Sequence, residues 1–336
     1  PEKQPSMPIF SHIRKRACMV AKIRFKTALK WLVLTAAYVY MAYLLITFDQ
    51  YPEMWQRLRS LSLFNYIWLL FVLILLPVNM IIEAVKWQEI VSKSEEISLK
   101  TSFHAILGGF STGFFTPNRL GEMVGRIAFM KKENHKAGIT YNVINGFSTN
   151  FVIVLCGIPA SVLFFLSIKH ENVFEGNQSQ FYILMILGMI ASLALYLAVP
   201  RLVRNIKAPK VQEFACGWAK YTRKDSLNIL FLAFFRYVIF CIQFFATLRF
   251  FDVEIEFWQS LLAIPAYYLF VTFTPSLAFS EAAVRSTYTV LFIGAFSKQL
   301  VSIALAGTVL WLINFGLPTL VGTHLLSKRK KLNKAQ

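Results

Sequence analysis

Long and nearly uncharged apolar blocks are the feature that most restricts how this chain can fold. A helix needs about 17–25 residues to cross about 30 Å of hydrocarbon. Six blocks reach or exceed that length, at residues 31–48, 61–82, 141–168, 181–200, 227–248 and 300–326. A soluble domain has about 25% charged residues, whereas this chain has 15% and is 56% hydrophobic. The sequence therefore predicts an all-α polytopic membrane protein with about six full transmembrane spans.

The distribution of basic residues predicts how the chain is oriented. If the N-terminus is cytoplasmic and each block crosses once, most of the 35 Lys and Arg residues fall on the cytoplasmic side. The predicted cytoplasmic segments that contain these basic residues are 1–30, 83–100, 131–138, 200–226 and 327–336. Because Lys and Arg collect on that side, we expect both termini in the cytoplasm and a location in the cell membrane, most simply a bacterial inner membrane. The predicted organisation is a basic N-terminal segment at 1–30, one transmembrane domain at 31–326 and a basic tail at 327–336.

The net charge of +18 does not indicate a nucleic-acid partner. The basic residues lie at the ends of apolar blocks, and no module that reads DNA or RNA is recognisable. The four cysteines are far apart and the five histidines are scattered, so their spacing predicts neither a metal site nor a disulfide framework. We expect no metal and no cofactor.

Two further apolar regions, at about 101–130 and 258–297, are each interrupted near the middle. The breaks are Thr-Pro pairs, Thr116 and Pro117 in the first region and Thr274 and Pro275 in the second. Proline lacks an N–H and disfavours helix in the residue before it, so the chain turns there. The charges that flank each region require it to leave the membrane on the face where it entered. We therefore predict two re-entrant broken-helix hairpins, one from each side.

The two predicted hairpins share a pattern of charged residues. A glutamate follows the proline by five or six residues, and an arginine follows that glutamate by four, giving Glu122 with Arg126 and Glu281 with Arg285. Hairpins of similar sequence that enter from opposite faces form a candidate inverted repeat, as in transporters whose substrate site lies between broken helices. Charged side chains inside a membrane tend to pair or to line a cavity.

These residues give the candidate site. Arginine suits phosphate, and Arg236 lies about ten residues into its apolar block, too deep to reach the surface easily. The predicted substrate-binding residues are Arg119, Glu122, Arg126, Arg236, Glu281 and Arg285. Two alternatives stay open here: the Glu–Arg pairs are structural ion pairs, and Arg236 is a counter-ion of Glu122 or Glu281. Polar residues at 142–150 include asparagines, of which we expect one to touch a substrate.

The first hairpin also resembles a known family. Its residues Gly109-Phe110, Thr116-Pro117-Asn118-Arg119-Leu120-Gly121-Glu122 and Arg126 are similar to the signature of the lysylphosphatidylglycerol synthase transmembrane, or flippase-like, family. A second family signature is matched in part at 274–281, where its glycine pair is missing. The resemblance covers about residues 30–326 and implies a lipid flippase module. In the best-known members, this module moves an aminoacylated phospholipid made by an attached synthase domain.

The leading functional hypothesis is a flippase that moves a phosphate-bearing lipid headgroup across the membrane. Only ten residues follow the last predicted span, so we expect the lipid to come from a separate lipid-modifying enzyme. The candidate lipids are an anionic phospholipid, an aminoacyl-phospholipid and a polyprenyl-phosphate lipid. An intramembrane glycosyl- or phospho-transferase acting on a lipid carrier is the alternative, as is a partner that does not transport. Whether the chain forms a homo-oligomer stays open.

Overall fold

The structure is a computed structural model that describes residues 61–114, 119–168, 217–276 and 278–335. It also describes isolated positions between these ranges, such as Thr116. All of them belong to one compact unit, Pro52–Gln336. The helices of the described part are α1 (Asn65–Val91), α2 (Leu99–Gly113), α3 (Gly121–Ile127), α4 (His135–Ile168), α5 (Arg223–Phe250), α6 (Phe257–Phe273), α7 (Ala278–Ile293), α8 (Leu300–Trp311) and α9 (Leu317–Ala335). A π-helical segment, Leu312–Gly316, joins α8 to α9.

Four of the described helices are long and apolar enough to cross a membrane. They are Asn65–Val91, Lys132–Ile168, Arg223–Phe250 and Leu300–Ser327, and each contains most or all of one predicted apolar block. The blocks at 31–48 and 181–200 lie wholly or mostly outside the described residues. The predicted all-α membrane fold is confirmed.

The described surface is more apolar than that of a water-soluble protein. Large apolar side chains are exposed on the long helices, such as Phe231 at 63% and Leu320 at 69%. Some charged and amide side chains are buried beside the apolar core, among them Lys86 and Gln243. Apolar surroundings favour this arrangement because exposed apolar groups cost nothing there, whereas an unpaired polar group costs several kcal/mol.

Both interrupted regions form pairs of helices with a break between them. In the first, α2 ends at Gly113 and α3 begins at Gly121. In the second, α6 ends at Phe273 and α7 begins at Ala278. We call α2 with α3 the first hairpin and α6 with α7 the second hairpin. The face of the membrane from which each enters stays a prediction.

The other helices pack around the two broken hairpins. The first hairpin packs against α1 and α9, and within it α2 lies along α3. In the second hairpin, α6 packs against α4 while α7 packs against α8. Helix α5 contacts α1, α4 and α8, and so it connects the helices that pack against the first hairpin with those that pack against the second. The polar faces of α1, α4 and α5 are thereby turned toward the broken hairpins.

Helix α1 extends beyond the apolar block predicted at residues 61–82. The charge count assigned residues 83–100 to a cytoplasmic segment, but α1 continues to Val91. Glu83 and Lys86 lie inside this helix and are 1% and 0% exposed. Both charges are compatible with the interior because they pair with each other and with other buried groups, an option that a count of charges along the sequence ignores.

Candidate functional site

A cavity of about 590 Å³ lies between the two hairpins. Ligand cavities in proteins commonly measure about 300–1,000 Å³. Its walls come from α1, α4 and α5, from the hairpin breaks and from the π-helical segment. The cavity is lined by all six predicted substrate-binding residues, Arg119, Glu122, Arg126, Arg236, Glu281 and Arg285. Of the predicted break residues, Thr274 and Pro275 also line it, and Pro117 lies outside the described residues.

Each hairpin carries the ion pair that its sequence spacing suggested. Arg126 Nη2 lies 3.3 Å from Glu122 Oε2 on α3. On α7, Arg285 Nη2 lies 2.9 Å from Glu281 Oε1. Residues four apart share a helix face, so each pair presents its carboxylate and its guanidinium to the same side. In both hairpins that side faces the cavity.

An ion pair also joins the two hairpins directly. Arg119 donates to both carboxylate oxygens of Glu281, from Nε at 3.1 Å and from Nη2 at 2.7 Å. This two-pronged geometry is the strongest arrangement available to an arginine and a carboxylate. Glu281 therefore accepts from an arginine of each hairpin, Arg119 and Arg285. We call Arg119, Glu281 and Arg285 the hairpin cluster.

The backbone at Arg119 is held in an uncommon conformation. Its φ is +56°, in the left-handed region that residues other than glycine rarely adopt. Its guanidinium carbon lies 3.7 Å from the centre of the ring of Phe315, a residue of the π-helical segment. Strained backbone and π-helical segments both occur preferentially at functional sites. Here the two features meet in one contact at the cavity wall.

The second group of charges surrounds Glu83, which the sequence reasoning missed. Arg126 Nη1 donates to Glu83 Oε1 at 2.9 Å, and Arg236 Nη1 lies 3.2 Å from Oε2. Lys86 Nζ is also 3.0 Å from Oε2 and donates to Thr149 at 2.8 Å. One carboxylate thus serves three cations. We call Glu83, Lys86, Glu122, Arg126 and Arg236 the central cluster.

A signal for Glu83 was present in the sequence. Asn79, Glu83 and Lys86 are spaced by four and three residues and so share one face of a helix that extends past residue 82. Asn79 accepts a hydrogen bond from Arg236 Nε at 2.9 Å. Arg236 therefore pairs with Glu83 and Asn79, both on α1, rather than with Glu122 or Glu281 as the alternative supposed.

The asparagines of α4 differ in where they lie. Asn145 and Asn150 line the cavity, and Asn142 donates to the Gly138 carbonyl within its own helix. Asn145 Nδ2 donates to Glu83 at 2.9 Å, and its buried Oδ1 has no donor among the residues that the structure describes. Asn314 of the π-helical segment also lines the cavity, and its Oδ1 likewise has no donor in the described part of the chain.

Aromatic rings lie close to two of these arginines. The guanidinium carbon of Arg236 is 4.9 Å from the centre of the Phe240 ring, and that of Arg126 is 5.6 Å from Trp87. These distances allow cation–π attraction and fix each guanidinium plane. Within the described residues, no group of three or more His, Cys, Asp or Glu side chains is placed to hold a metal ion. The described lining of the cavity carries four guanidinium groups and three carboxylates.

Comparison with known proteins agrees with the membrane fold. The model of the family described as the lysylphosphatidylglycerol synthase TM region matches residues 30–322, which include both hairpins and every charge of the two clusters. No curated protein matches the chain. No solved structure matches it either. Because the match covers most of the 336 residues, the chain belongs to the lysylphosphatidylglycerol synthase transmembrane family.

Proposed function

We propose that this protein is a lipid flippase, which moves a phosphate-bearing headgroup across the membrane through the cavity between its hairpins. The observation that carries the proposal is the group of four arginines lining that cavity. Membership of the family implies a role connected with membrane lipids. Guanidinium groups bind phosphate with two parallel hydrogen bonds. The acyl chains would stay in the bilayer, beside the exposed apolar faces of the long helices.

The ion pair between Arg119 and Glu281 suggests how binding is coupled to movement. It is a direct polar contact between the two hairpins. A phosphate that takes the place of the Glu281 carboxylate at Arg119 would remove this contact and free one hairpin to move relative to the other. Alternating movement of two repeats around a fixed site is how many transporters expose a substrate to each side in turn.

The state of the carboxylates favours transport over the transferase alternative. Glu83, Glu122 and Glu281 all pair with arginines of the cavity. A general base must reach a proton of the substrate, and the oxygens of these carboxylates already contact guanidinium groups. The carboxylates act more naturally as counter-ions that orient the guanidinium groups.

Lipid translocation by purified protein tests the proposal. The protein is reconstituted in liposomes that contain fluorescent phospholipids or polyprenyl phosphates, and the fraction of label that crosses the bilayer is followed with time. We expect the unchanged protein to translocate lipid. Arg236→Gln and Arg285→Gln should each lower the rate at least about tenfold, because each removes charged hydrogen bonds to phosphate. Arg223→Gln is the matched control, since Arg223 is exposed at the start of the same helix as Arg236.

The other outcomes separate the alternatives. Gel filtration first establishes that each variant is folded. If the parent moves none of these lipids but alters one chemically when a sugar or phosphate donor is supplied, the protein is a transferase. If it does neither, a non-transporting partner is the better description. Unchanged translocation by both folded variants would remove Arg236 and Arg285 from the site.

A further inference from the structure

The charges around the cavity do not balance among the described residues. The two clusters contain five cations, Lys86, Arg119, Arg126, Arg236 and Arg285, and three carboxylates, Glu83, Glu122 and Glu281. Arginine stays ionised in proteins, and Lys86 keeps two acceptors for its ammonium group, Glu83 at 3.0 Å and Thr149 at 2.8 Å. The described site therefore has two positive charges more than it has negative ones.

The excess is divided equally between the two clusters. In the hairpin cluster, Arg119 and Arg285 share the single carboxylate of Glu281. In the central cluster, three cations share Glu83 and Glu122. Arg119 Nη1 lies 3.8 Å from Glu122 Oε1 and brings the clusters together at one wall of the cavity. A small ligand can therefore meet both excess charges at once.

A buried excess of positive charge is costly unless an anion compensates it. Arg126 gives a second, independent indication that an acceptor is missing. Its side chain is 5% exposed, and its buried Nε–H has no partner among the described residues. Buried guanidinium N–H groups normally have acceptors. The central cluster thus has both an uncompensated charge and an unused donor.

From this charge count we infer that the headgroup carries two negative charges on phosphate, as a phosphate monoester does, rather than the single charge of a phosphodiester. The inference rests on the proposed function and specifies its substrate class. A zwitterionic or cationic headgroup brings an ammonium group into a site that already has excess positive charge. A monoanionic diester neutralises one cluster and leaves the other charged. A dianion neutralises both.

The test compares lipids that differ in headgroup charge and share the same acyl chains. Phosphatidic acid is a monoester, phosphatidylglycerol a monoanionic diester and phosphatidylcholine a zwitterion. Binding is measured by the rise in unfolding temperature of the purified protein, and translocation is measured in liposomes. At pH 7.5 we expect phosphatidic acid to bind about tenfold more tightly than phosphatidylglycerol, and phosphatidylcholine to bind least. Farnesyl phosphate, a monoester with a different lipid chain, should stabilise the protein as phosphatidic acid does.

The pH dependence of lipid binding tests the role of the second negative charge on the phosphate. A phosphate monoester gains its second charge with a pKa of about 6, whereas a diester has one charge at both pH values. Between pH 7.5 and pH 5 the preference for phosphatidic acid over phosphatidylglycerol should shrink several-fold. Lys86→Gln and Arg285→Gln each remove one positive charge, from the central and the hairpin cluster respectively. Either variant should shift the binding preference toward phosphatidylglycerol at pH 7.5. The test therefore needs only one of the two variants to fold.

Each contrary result has a definite meaning. Equal or tighter binding of phosphatidylglycerol at pH 7.5, or a preference that does not change with pH, would overturn the dianionic headgroup while leaving a flippase in place. Inorganic phosphate that stabilises the protein as well as phosphatidic acid at equal concentration would overturn a lipid as the source of the dianion. A dianionic lipid that binds with this preference but never crosses the bilayer would refute the flippase and keep the headgroup assignment.

Discussion

At the scale of single residues, Glu83 is the counter-ion on which the central cluster depends. It is 1% exposed and pairs with Lys86, Arg126 and Arg236, while Asn145 donates to it as well. A buried cation that loses its partner is far more costly than an exposed one. The neutral amide of glutamine would keep the shape of the side chain and remove only its charge.

Glu83→Gln should therefore lower the free energy of unfolding by about 3–5 kcal/mol, the range for breaking a buried ion pair. The measurement is thermal unfolding of the purified protein in detergent. Glu89→Gln is the matched control, because Glu89 lies on the same helix, is half-buried, and its carboxylate accepts from exposed Asn228. Its effect should stay within about 0.5 kcal/mol. Equal unfolding temperatures for the two variants would mean that Glu83 is not the anion that holds these cations.

At the scale of elements, the first hairpin depends on close approach of α2 and α3. The glycines at 109 and 113 and those at 121 and 125 form two pairs spaced by four, which predicts close packing of two helices. In the structure, a Cβ at Gly125 would collide with the Gly108 carbonyl, and one at Gly121 with the Thr112 carbonyl. Thr112 also donates to the Gly121 carbonyl at 2.7 Å. Small residues thus set the distance at which α3 presents its Glu–Arg pair to the cavity.

Gly125→Ala should destabilise the protein by about 1–3 kcal/mol, because the added methyl group meets backbone that cannot move aside. Gly146→Ala is the control within α4, where a Cβ would meet nothing within 4 Å. It should be neutral or stabilise the helix by about 0.5–1 kcal/mol. Thermal unfolding in detergent compares the two variants, and an equal effect of both would argue against tight packing of this hairpin.

At the scale of the whole molecule, the orientation in the membrane is still a prediction from the basic residues. Residues 131–138 are expected in the cytoplasm and residues 249–257 on the opposite side. Lys132 and Glu254 are exposed in these two segments and suit chemical labelling. Each is changed to cysteine in a chain whose own four cysteines are replaced by serine.

A maleimide that does not cross membranes should label Glu254→Cys in intact cells and Lys132→Cys only after lysis. The physical reason is that Lys and Arg are retained on the cytoplasmic side during insertion. Labelling of both positions after lysis shows that both are accessible. The reverse pattern in intact cells would invert the predicted orientation and, with it, the face from which each hairpin enters.

The sequence by itself determined the membrane fold, the two breaks and the charged residues of each hairpin. These features are local: an apolar run of sufficient length must be helical in hydrocarbon, proline interrupts a helix, and residues four apart share a helix face. The pairs Glu122–Arg126 and Glu281–Arg285 follow from that spacing alone.

Only the tertiary structure decided which charges meet. Arg119 pairs with Glu281 across 162 positions of sequence, and Arg236 pairs with Glu83 rather than with a glutamate of either hairpin. Spacing along one helix says nothing about a partner on another, because that partner is chosen by how the helices pack. Glu83 and Lys86 look like the start of a loop in the sequence, yet the packing of α1 against α5 buries them at the centre of the site.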